Sequence, residues 1–182
     1  IYTLEDKTLI EKDIRDLDKI LDFDYSDDGK KMVFSGVVGG QSDLYLLDLN
    51  SQSRKQLTDD IFDDVDPVFI DNSSRILFAS NRSSDTIYKK PEINFVDHKN
   101  DIFIYDLKHM DHTYKFLEQI TQTPDDNETK PFSIEKNTYI FLSDKNGITN
   151  RFISEKDSVI SHIDTTIHYR MSIVNSPQTN YV

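Results

Sequence analysis

Carboxylate side chains dominate the residues of this sequence that could do chemistry, and one group of them has an order typical of calcium ligands. The segment DFDYSDDG at residues 22–29 alternates acidic side chains before a glycine, as a calcium-binding loop does. If Asp24 took the first ligand position, Ser35 would take the twelfth, where a bidentate carboxylate is required. The spacing therefore favours an acidic turn, and we expect no metal there.

Histidine offers a second possible metal site, in the segment HMDH. His109 and His112 are three residues apart, a spacing that can chelate a metal when both side chains lie on one helix. The segment falls between two predicted strands and has no third ligand close by in the sequence. It is interpreted as an exposed turn, and the sequence predicts neither a bound metal nor any other cofactor.

Covalent catalysis needs an activated nucleophile, and the sequence shows none in a suitable context. It has no Gly-x-Ser-x-Gly turn and no cysteine, and its 5 glycines are too few for a phosphate-binding loop. Ser133 and Lys136 have the Ser-x-x-Lys spacing, but both fall in a predicted hairpin turn. We therefore expect that the protein segment given by this sequence is not an enzyme.

The overall charge excludes further classes of protein. The 182 residues include 21 basic and 33 acidic side chains, and the net charge of −12 would repel nucleic acid and anionic membrane surfaces. No apolar run reaches the roughly 18–20 residues that cross a bilayer. The densest acidic run, DDIFDDVD at residues 59–66, is interpreted as a solvated loop; a site for a cation or a basic partner is the alternative.

The elements that must position these side chains are predicted to be strands. The sequence has 26 Asp against 7 Glu, and Asp favours turns whereas Glu favours helices. It also has 20 Ile, 11 Phe and 9 Tyr, whose side chains fit a pleated sheet. The composition therefore indicates an all-β protein.

An internal repeat organises these strands. Short strand, polar turn and aromatic strand follow one another in three segments, at residues 23–36, 67–80 and 131–144, and a second strand pair follows each of the first two. Phe34 and Phe78 occupy equivalent positions 44 residues apart, and Phe141 follows 63 residues later. Most of the additional residues in this longer interval lie at residues 82–100, which are predicted to leave the sheet between its second and third strands.

A repeat of about 40–45 residues with four strands per unit is typical of β-propeller blades. A β-sandwich of hairpins is the alternative, but it does not require equivalent residues to recur in each unit. The predicted fold is an incomplete propeller ring of about three to four antiparallel four-stranded blades, within a longer chain. Its predicted divisions are a partial blade at 1–16, a blade at 17–60, a blade with its insertion at 61–123, a weaker blade at 124–160, and a tail or linker at 161–182.

Equivalent residues of a repeat face equivalent neighbours. We therefore predict that six aromatic rings lie in first or second strands and pack between adjacent sheets: Tyr25, Phe34, Phe69, Phe78, Phe132 and Phe141. An incomplete ring also leaves apolar sheet surface uncovered, so the chain is predicted to associate.

The repeat resembles a known family. The segments SDDGKKMVFSG, SDLYLLDLNSQSRKQLTDD and DDVDPVFIDNSSRILFASNR are similar to the WD40-like propeller repeats of the TolB-like family of the bacterial envelope. The resemblance covers roughly residues 20–155, and propellers of prolyl-oligopeptidase-like and tricorn-like peptidases share it. This sequence departs from the pattern at the turn glycine, which is present at Gly29, replaced by Ser73 in the second unit and missing in the third.

The resemblance implies a non-enzymatic scaffold that binds proteins, in the periplasm or at the outer membrane of a Gram-negative bacterium, with a role in protein transport. It leaves open an accessory propeller that gates substrate access in a prolyl-oligopeptidase-like or tricorn-like peptidase. The expected partners are proteins, including envelope or outer-membrane proteins, and not nucleic acid. Because loops on a rigid scaffold carry binding, the residues predicted to contact a partner lie in the acidic run and the insertion: Asp63, Asp64, Arg82, Tyr88, Lys89 and Lys90.

Overall fold

The computed structural model describes the backbone of residues 2–3, 8–9, 14–87, 99–112, 115–159 and 168–174, and side chains within 14–87, 99–112 and 115–156. This part of the chain is almost entirely β-structure, with one short 3-10 helix at Leu107–His109. No helix in it has the length and apolar composition of a membrane span.

Three antiparallel sheets follow one another along the chain, and we call them blades I, II and III. A two-residue ribbon of β1 (Tyr2–Thr3) and β2 (Thr8–Leu9) precedes them. Blade I comprises β3 (Lys19–Tyr25), β4 (Lys31–Val38), β5 (Gln41–Asp48) and β6 (Arg54–Gln56). Blade II comprises β7 (Asp64–Ile70), β8 (Arg75–Ser80), β9 (Thr86–Ile87), β10 (Asp101–Asp106) and β11 (Lys115–Gln119). Blade III comprises β12 (Glu128–Glu135), β13 (Thr138–Ser143), β14 (Asn150–Val159) and β15 (His168–Val174).

The strands of each blade form a meander. Strand order follows chain order in blades I and III, and blade II has the order β7-β8-β10-β11-β9. The first strand of each blade packs against the neighbouring blade, β7 against β3, β4 and β5, and β12 against β7, β8 and β10. Sequential four-stranded meanders packed face to face are the architecture of a propeller. The predicted all-β fold with propeller blades is therefore confirmed.

One aromatic pair recurs in all three blades and carries their packing. Each pair joins a phenylalanine of the second strand to a ring of the third, with centroids 5.3, 6.1 and 6.2 Å apart: Phe34 with Tyr45, Phe78 with Phe103, and Phe141 with Phe152. The pairs of blades II and III are buried against the preceding blade. Full burial of one such ring contributes about 1.5–3 kcal/mol, so the pairs of blades II and III stabilise the packing between consecutive blades.

Two of the six aromatic rings contradict the packing prediction. Tyr25 and Phe132 lie in first strands as predicted, but 43% and 60% of their surfaces are exposed because no described sheet covers that side of their blades. Phe34 is buried against Ile14 and Leu17 of the preceding segment instead of against a sheet. Phe69 is partly buried against the core between blades I and II, where Phe78 is fully buried. Phe141 is fully buried in the core between blades II and III.

Part of the insertion at residues 82–100 belongs to the sheet, while residues 88–98 lie outside the described residues, so the predicted departure of the insertion from the sheet stays a prediction. Its segment Thr86–Ile87 forms β9, which pairs with β11 at the outer edge of blade II. The N–H of Leu117 also donates to the carbonyl of Asp85 at 2.6 Å. The sequence shows no sign of this strand because two residues are too few for an alternating pattern.

Left-handed backbone explains how the hairpin turns tolerate the loss of glycine. Gly29 has a φ of 65° in blade I, and the equivalent Ser73 keeps a φ of 61° in blade II. In blade III the turn residue Asn137 has a φ of 67°. Asparagine tolerates this region better than most residues, whereas serine adopts it at a cost of about 1–2 kcal/mol. The left-handed position is therefore kept without glycine, and in blade II the turn extends it to Asp71 and Asn72, with φ of 52° and 53°.

Candidate functional site

Three of the predicted site residues, Asp63, Asp64 and Arg82, lie at the ends of the sheets where β3, β7 and β12 begin. Asp64 at the start of β7 lies opposite Ser80 at the end of β8, and Ser80 lies opposite Asp101 at the start of β10. Glu128 at the start of β12 likewise lies opposite Ser143. We call this the upper end of the propeller, and the end with the hairpin turns the lower end.

Arg82 is the centre of a buried ion cluster at the upper end. Its guanidinium donates to both oxygens of Asp64 at 2.8 and 2.9 Å, to Asp60 Oδ2 at 3.1 Å and to Ser80 Oγ at 2.9 Å. The side chains of all three charged residues are fully inaccessible. Burial alone would lower the pKa of Arg82, but the charges of Asp64 and Asp60 raise it. The guanidinium is therefore always charged, and it neutralises two carboxylates inside the blade junction.

Aromatic rings surround the charged cluster. The guanidinium carbon of Arg82 lies 5.4, 6.0 and 5.9 Å from the ring centroids of Phe62, Phe78 and Phe103. Arginine is favoured in such places because its planar, weakly hydrated cation can stack on aromatic faces. The ion cluster is thus part of the packing between blades I and II.

A second polar network repeats in blades I and II. Asp43 accepts from Thr58 Oγ1 at 3.3 Å and from Gln56 Nε2 at 3.1 Å, and the next N–H, of Leu44, donates to Thr58 Oγ1 at 2.9 Å. The equivalent residues Asp101, Thr121, Gln119 and Ile102 make the same three bonds at 3.0, 3.3 and 2.8 Å. Burial, followed by the charges of Asp64, Asp60 and Asp59, raises the pKa of Asp43 to about 7.

A third set of hydrogen bonds joins each blade to the next at the upper end. Asp63 Oδ1 accepts from the N–H of Ser42 at 2.9 Å, and the N–H of Asp63 donates to Asn81 Oδ1 at 2.8 Å. Asn127 repeats this arrangement one junction later, with Asn100 at 3.0 Å and Asp144 at 2.7 Å. These contacts fix the linker between consecutive blades and make the upper end a rigid frame.

Glu128 occupies in blade III the place that Asp64 occupies in blade II. It is 2% exposed, its Oε1 accepts from Thr123 Oγ1 at 2.8 Å, and its Oε2 has no hydrogen-bond partner. Burial, opposed by the hydrogen bond from Thr123 and reinforced by the charges of Asp101 and Asp126, raises the pKa of Glu128 to about 7. The residue equivalent to Arg82 is Lys145, which is exposed to solvent.

The first strands meet in a further charged group. Lys130 Nζ lies 2.7 Å from Asp22 Oδ2 and 2.5 Å from Asp66 Oδ1, so one ammonium joins the first strands of all three blades. Irregular register at this level in all three strands brings the three side chains together. Asp22, placed in a calcium-like segment by the sequence, thus takes part in an ion pair between blades.

Two grooves open at the upper end. One, of about 580 Å³, lies between blades I and II and is lined by Lys19, Leu21, Val37, Ser42, Asp63 and Asn81, among others. The other, of about 360 Å³, lies beside the linker to blade III and is lined by Asn100, Asp101, Gln119, Gln122, Thr123 and Pro124, among others. A third groove, of about 770 Å³, lies at the lower end.

The structure places the predicted partner contacts in three different settings. Arg82 and Asp64 are brought together in the buried ion cluster, and their contact with a partner stays a prediction. Asp63 lines the groove between blades I and II, and its contact with a partner stays a prediction. Tyr88, Lys89 and Lys90 lie outside the described residues.

Sequence reasoning missed Glu128 and Asp43, two buried carboxyls whose pKa is raised to about 7. The available signal was the repeat itself, which places Asp64 and Glu128 at the same position 64 residues apart. Within the described residues, no three side chains are grouped as a metal site. His109 and His112 form a pair whose Nδ1 atoms are 3.2 Å apart in the turn after β10.

Comparison with known proteins supports the resemblance found in the sequence. No protein-family model matches the chain. The Tol-Pal system protein TolB of Wolinella succinogenes is 35% identical over 82 residues, which are 45% of this chain and 18% of that protein. The crystal structure of TolB from Acinetobacter baumannii superposes with a TM-score of 0.56 at 16% identity, covering 94% of this chain and 36% of that one, and shows the same fold. The chain therefore spans a minor part of each of these relatives.

Proposed function

We propose that this chain of TolB-like propeller repeats is a non-enzymatic scaffold that binds proteins in the envelope of a Gram-negative bacterium. The observation that carries the proposal is the 35% identity over 82 residues to TolB, a protein named for the Tol-Pal system. The proposed location is the periplasm or the periplasmic side of the outer membrane, and the proposed role is in protein transport. The proposed partners are proteins of that compartment.

The upper end is the proposed binding surface. Its two grooves lie over side chains that are fixed by buried hydrogen bonds, so a partner would meet a preorganised surface at little cost in conformational entropy. The groove linings are mainly amide, hydroxyl and carboxylate side chains, which suit a polar or basic segment of a partner. This surface extends the predicted contact at Asp63 to its neighbours Ser42 and Asn81.

The absence of catalysis is part of the proposal. Ser133, the serine of the Ser-x-x-Lys spacing, donates to the carbonyl of Glu135 at 3.2 Å in the hairpin of blade III. This contact gives the hydroxyl a role in a turn and no base that would activate it. We expect the purified chain to hydrolyse neither peptide nor ester substrates.

Site-specific photo-crosslinking tests the proposed surface. A photoreactive amino acid placed at exposed Ser83 or Gln122 should capture one discrete envelope protein, identified by mass spectrometry. The same amino acid at exposed Asn72 or Lys136 of the lower end is the matched control and should capture none. Capture from the lower end alone, or recovery of the chain in the cytosolic fraction, would contradict the proposal.

A further inference from the structure

The turn after β10, at the lower end of blade II, holds two histidines together. The N–H of His112 donates to the carbonyl of His109 at 3.0 Å, which closes a four-residue turn. Such a turn brings its first and last Cα atoms to within about 7 Å, so their side chains can meet. The Nδ1 atoms of the two rings are 3.2 Å apart, and the ring planes are inclined at 83°. The turn thus gives the His-x-x-His spacing the convergence that a helix would give.

This turn is anchored to both neighbouring sheets. The carboxylate of Asp106 caps the 3-10 helix Leu107–His109, with which the turn begins. Met110 packs against the core between blades I and II. Asp111 forms an ion pair with Lys55 of β6, in blade I. The backbone between the two histidines is therefore fixed, and the rings need little rearrangement to bind a common ligand.

Both rings can be reached from solvent. His112 is exposed and His109 is partly exposed. Their turn lies at the opposite end of the blades from the surface proposed to bind proteins, because β10 begins at the upper end and ends at the lower one. A small ligand can therefore approach the pair directly.

The separation of the two Nδ1 atoms fits two ligands of one metal ion. Zinc binds imidazole nitrogen at about 2.0–2.1 Å, and two such bonds at the tetrahedral angle place the nitrogens about 3.3–3.4 Å apart. The observed 3.2 Å lies within about 0.2 Å of that separation. A hydrogen bond between the rings can hold the same distance with one Nδ1 as the donor, and a metal ion would displace that proton into solvent.

We propose that His109 and His112 bind one divalent transition-metal ion through their Nδ1 atoms. The ions that prefer imidazole are Zn²⁺, Ni²⁺ and Cu²⁺, whereas Ca²⁺ and Mg²⁺ need oxygen ligands that the two rings do not offer. Among the residues that the structure describes, no third His, Asp or Glu is grouped with this pair, so water or an external ligand completes the coordination. The inference goes beyond the proposed function and does not depend on it.

The experiment is an NMR titration of the full chain with zinc chloride, observed at the imidazole nitrogens. Magnesium chloride is the matched control, since it adds the same charge without an affinity for imidazole. Zinc is expected to shift the resonances of His109 and His112 in a saturable way, with one equivalent bound, and magnesium is expected to leave them unchanged. Equal shifts with both ions, no saturable shift with zinc, or shifts confined to other histidines would overturn the proposal.

Histidine variants test the residue assignment. His109→Gln and His112→Gln should each weaken zinc binding at least about tenfold, because each leaves one ligand of the chelate. The matched control replaces the three other histidines of the sequence, His98, His162 and His168, by glutamine and should keep the affinity within about twofold. Unchanged affinity in either single variant, or a tenfold loss in the control, would overturn the assignment. Failure of the zinc site leaves the crosslinking test of the upper end unaffected, and failure of that test leaves the zinc site unaffected.

Discussion

Replacement of Arg82 should lower the stability of the protein strongly, because Arg82 is the cation that neutralises two fully buried carboxylates. Arg82→Met keeps most of the side-chain volume but leaves Asp60 and Asp64 unpaired. Removing one partner of a buried ion pair costs about 3–5 kcal/mol, so we expect the free energy of unfolding to fall by that amount in urea titrations. Lys145→Met at the exposed equivalent position should change it by less than about 0.5 kcal/mol. An Arg82→Met variant as stable as the parent would show that the cluster is not required for packing.

The stability of the protein should depend on pH near neutrality because of Glu128 and Asp43. Both carboxyls have pKa values of about 7 when folded, above the ordinary values of 4.5 and 3.8 that they regain on unfolding. Between about pH 5 and 8 the native state therefore holds protons that the unfolded state has released, and stability falls as the pH rises. We expect each group to remove about 2–3 kcal/mol over this interval, at 1.36 kcal/mol for each unit of pKa.

Thermal unfolding from pH 5 to 8 measures this dependence. Glu128→Gln should reduce the decrease in melting temperature between pH 5 and 8 and should be more stable than the parent at pH 8. Asp125→Asn, at an exposed position, should show the same pH dependence as the parent. Carboxyls whose pKa is lowered, such as Asp22 and Asp106, act in the opposite sense but below about pH 4. A melting temperature that is constant or rises across this interval would contradict the assignment.

At the scale of residues, the sequence predicts which charged side chains lie near one another but does not predict that they are buried. The sequence predicts Asp63, Asp64 and Arg82 as charged side chains in loops, and the structure brings the three residues close together. Charge density alone does not predict burial, because it depends on which rings close over the side chains, here Phe62, Phe78 and Phe103. Position within the repeat is more informative, since it places Glu128 at the site of Asp64.

Among the elements, we expect the described part of the insertion of blade II to contribute more to stability than residues 88–98. Arg82 and β9 contribute an ion cluster and an edge strand. Replacing residues 88–98 by a Gly-Ser linker of equal length should change the free energy of unfolding by less than about 1 kcal/mol, because a flexible loop of the same length has a similar entropy of closure. Replacing residues 85–87 by glycines should destabilise more, since it weakens the pairing with Lys115 and Phe116. The reverse order of stabilities in urea would contradict this expectation.

The same linker tests the predicted contacts of Tyr88, Lys89 and Lys90. If these residues bind the partner, the linker variant should lose crosslinking from Ser83 while keeping the parent's melting temperature. Unchanged crosslinking would show that they do not contribute.

The strands were largely predictable because two local features of the sequence, the residue types of the strands and the polar turns between them, indicated the same hairpins. Aromatic and β-branched strands separated by polar turns predicted the hairpins around Phe34, Phe78 and Phe141, and each of these residues pairs with a ring of the third strand. Strand β9 was not predictable, because its two residues pair with a strand nearly thirty positions later and their partner depends on the tertiary fold. Exposure of Tyr25 and Phe132 likewise depends on which sheet lies next to each first strand.

For the whole molecule, the covered and uncovered sides of the blades determine how it behaves in solution. Blade III presents Phe132 and Ile134, 60% and 54% exposed, on the side away from blade II, and blade I presents Phe23 and Tyr25, 53% and 43% exposed, with their ring centroids 5.7 Å apart. Neighbouring apolar side chains on first strands form patches of the kind that mark contact surfaces. We therefore expect two or more copies to associate through these sides.

Sedimentation velocity at several concentrations tests this expectation. The parent should show a sedimentation coefficient that rises with concentration, and Phe132→Ser with Ile134→Ser should reduce that rise, because it removes apolar area from the patch. Phe116→Ser is the matched control: Phe116 is 63% exposed but lies on β11 near the outer edge of blade II, away from the first strands, so its loss should not change association. A parent that sediments as a monomer at all concentrations and melts cooperatively would contradict the expectation. Such a result would show that the exposed first strands are tolerated in water, as isolated apolar side chains are on most protein surfaces.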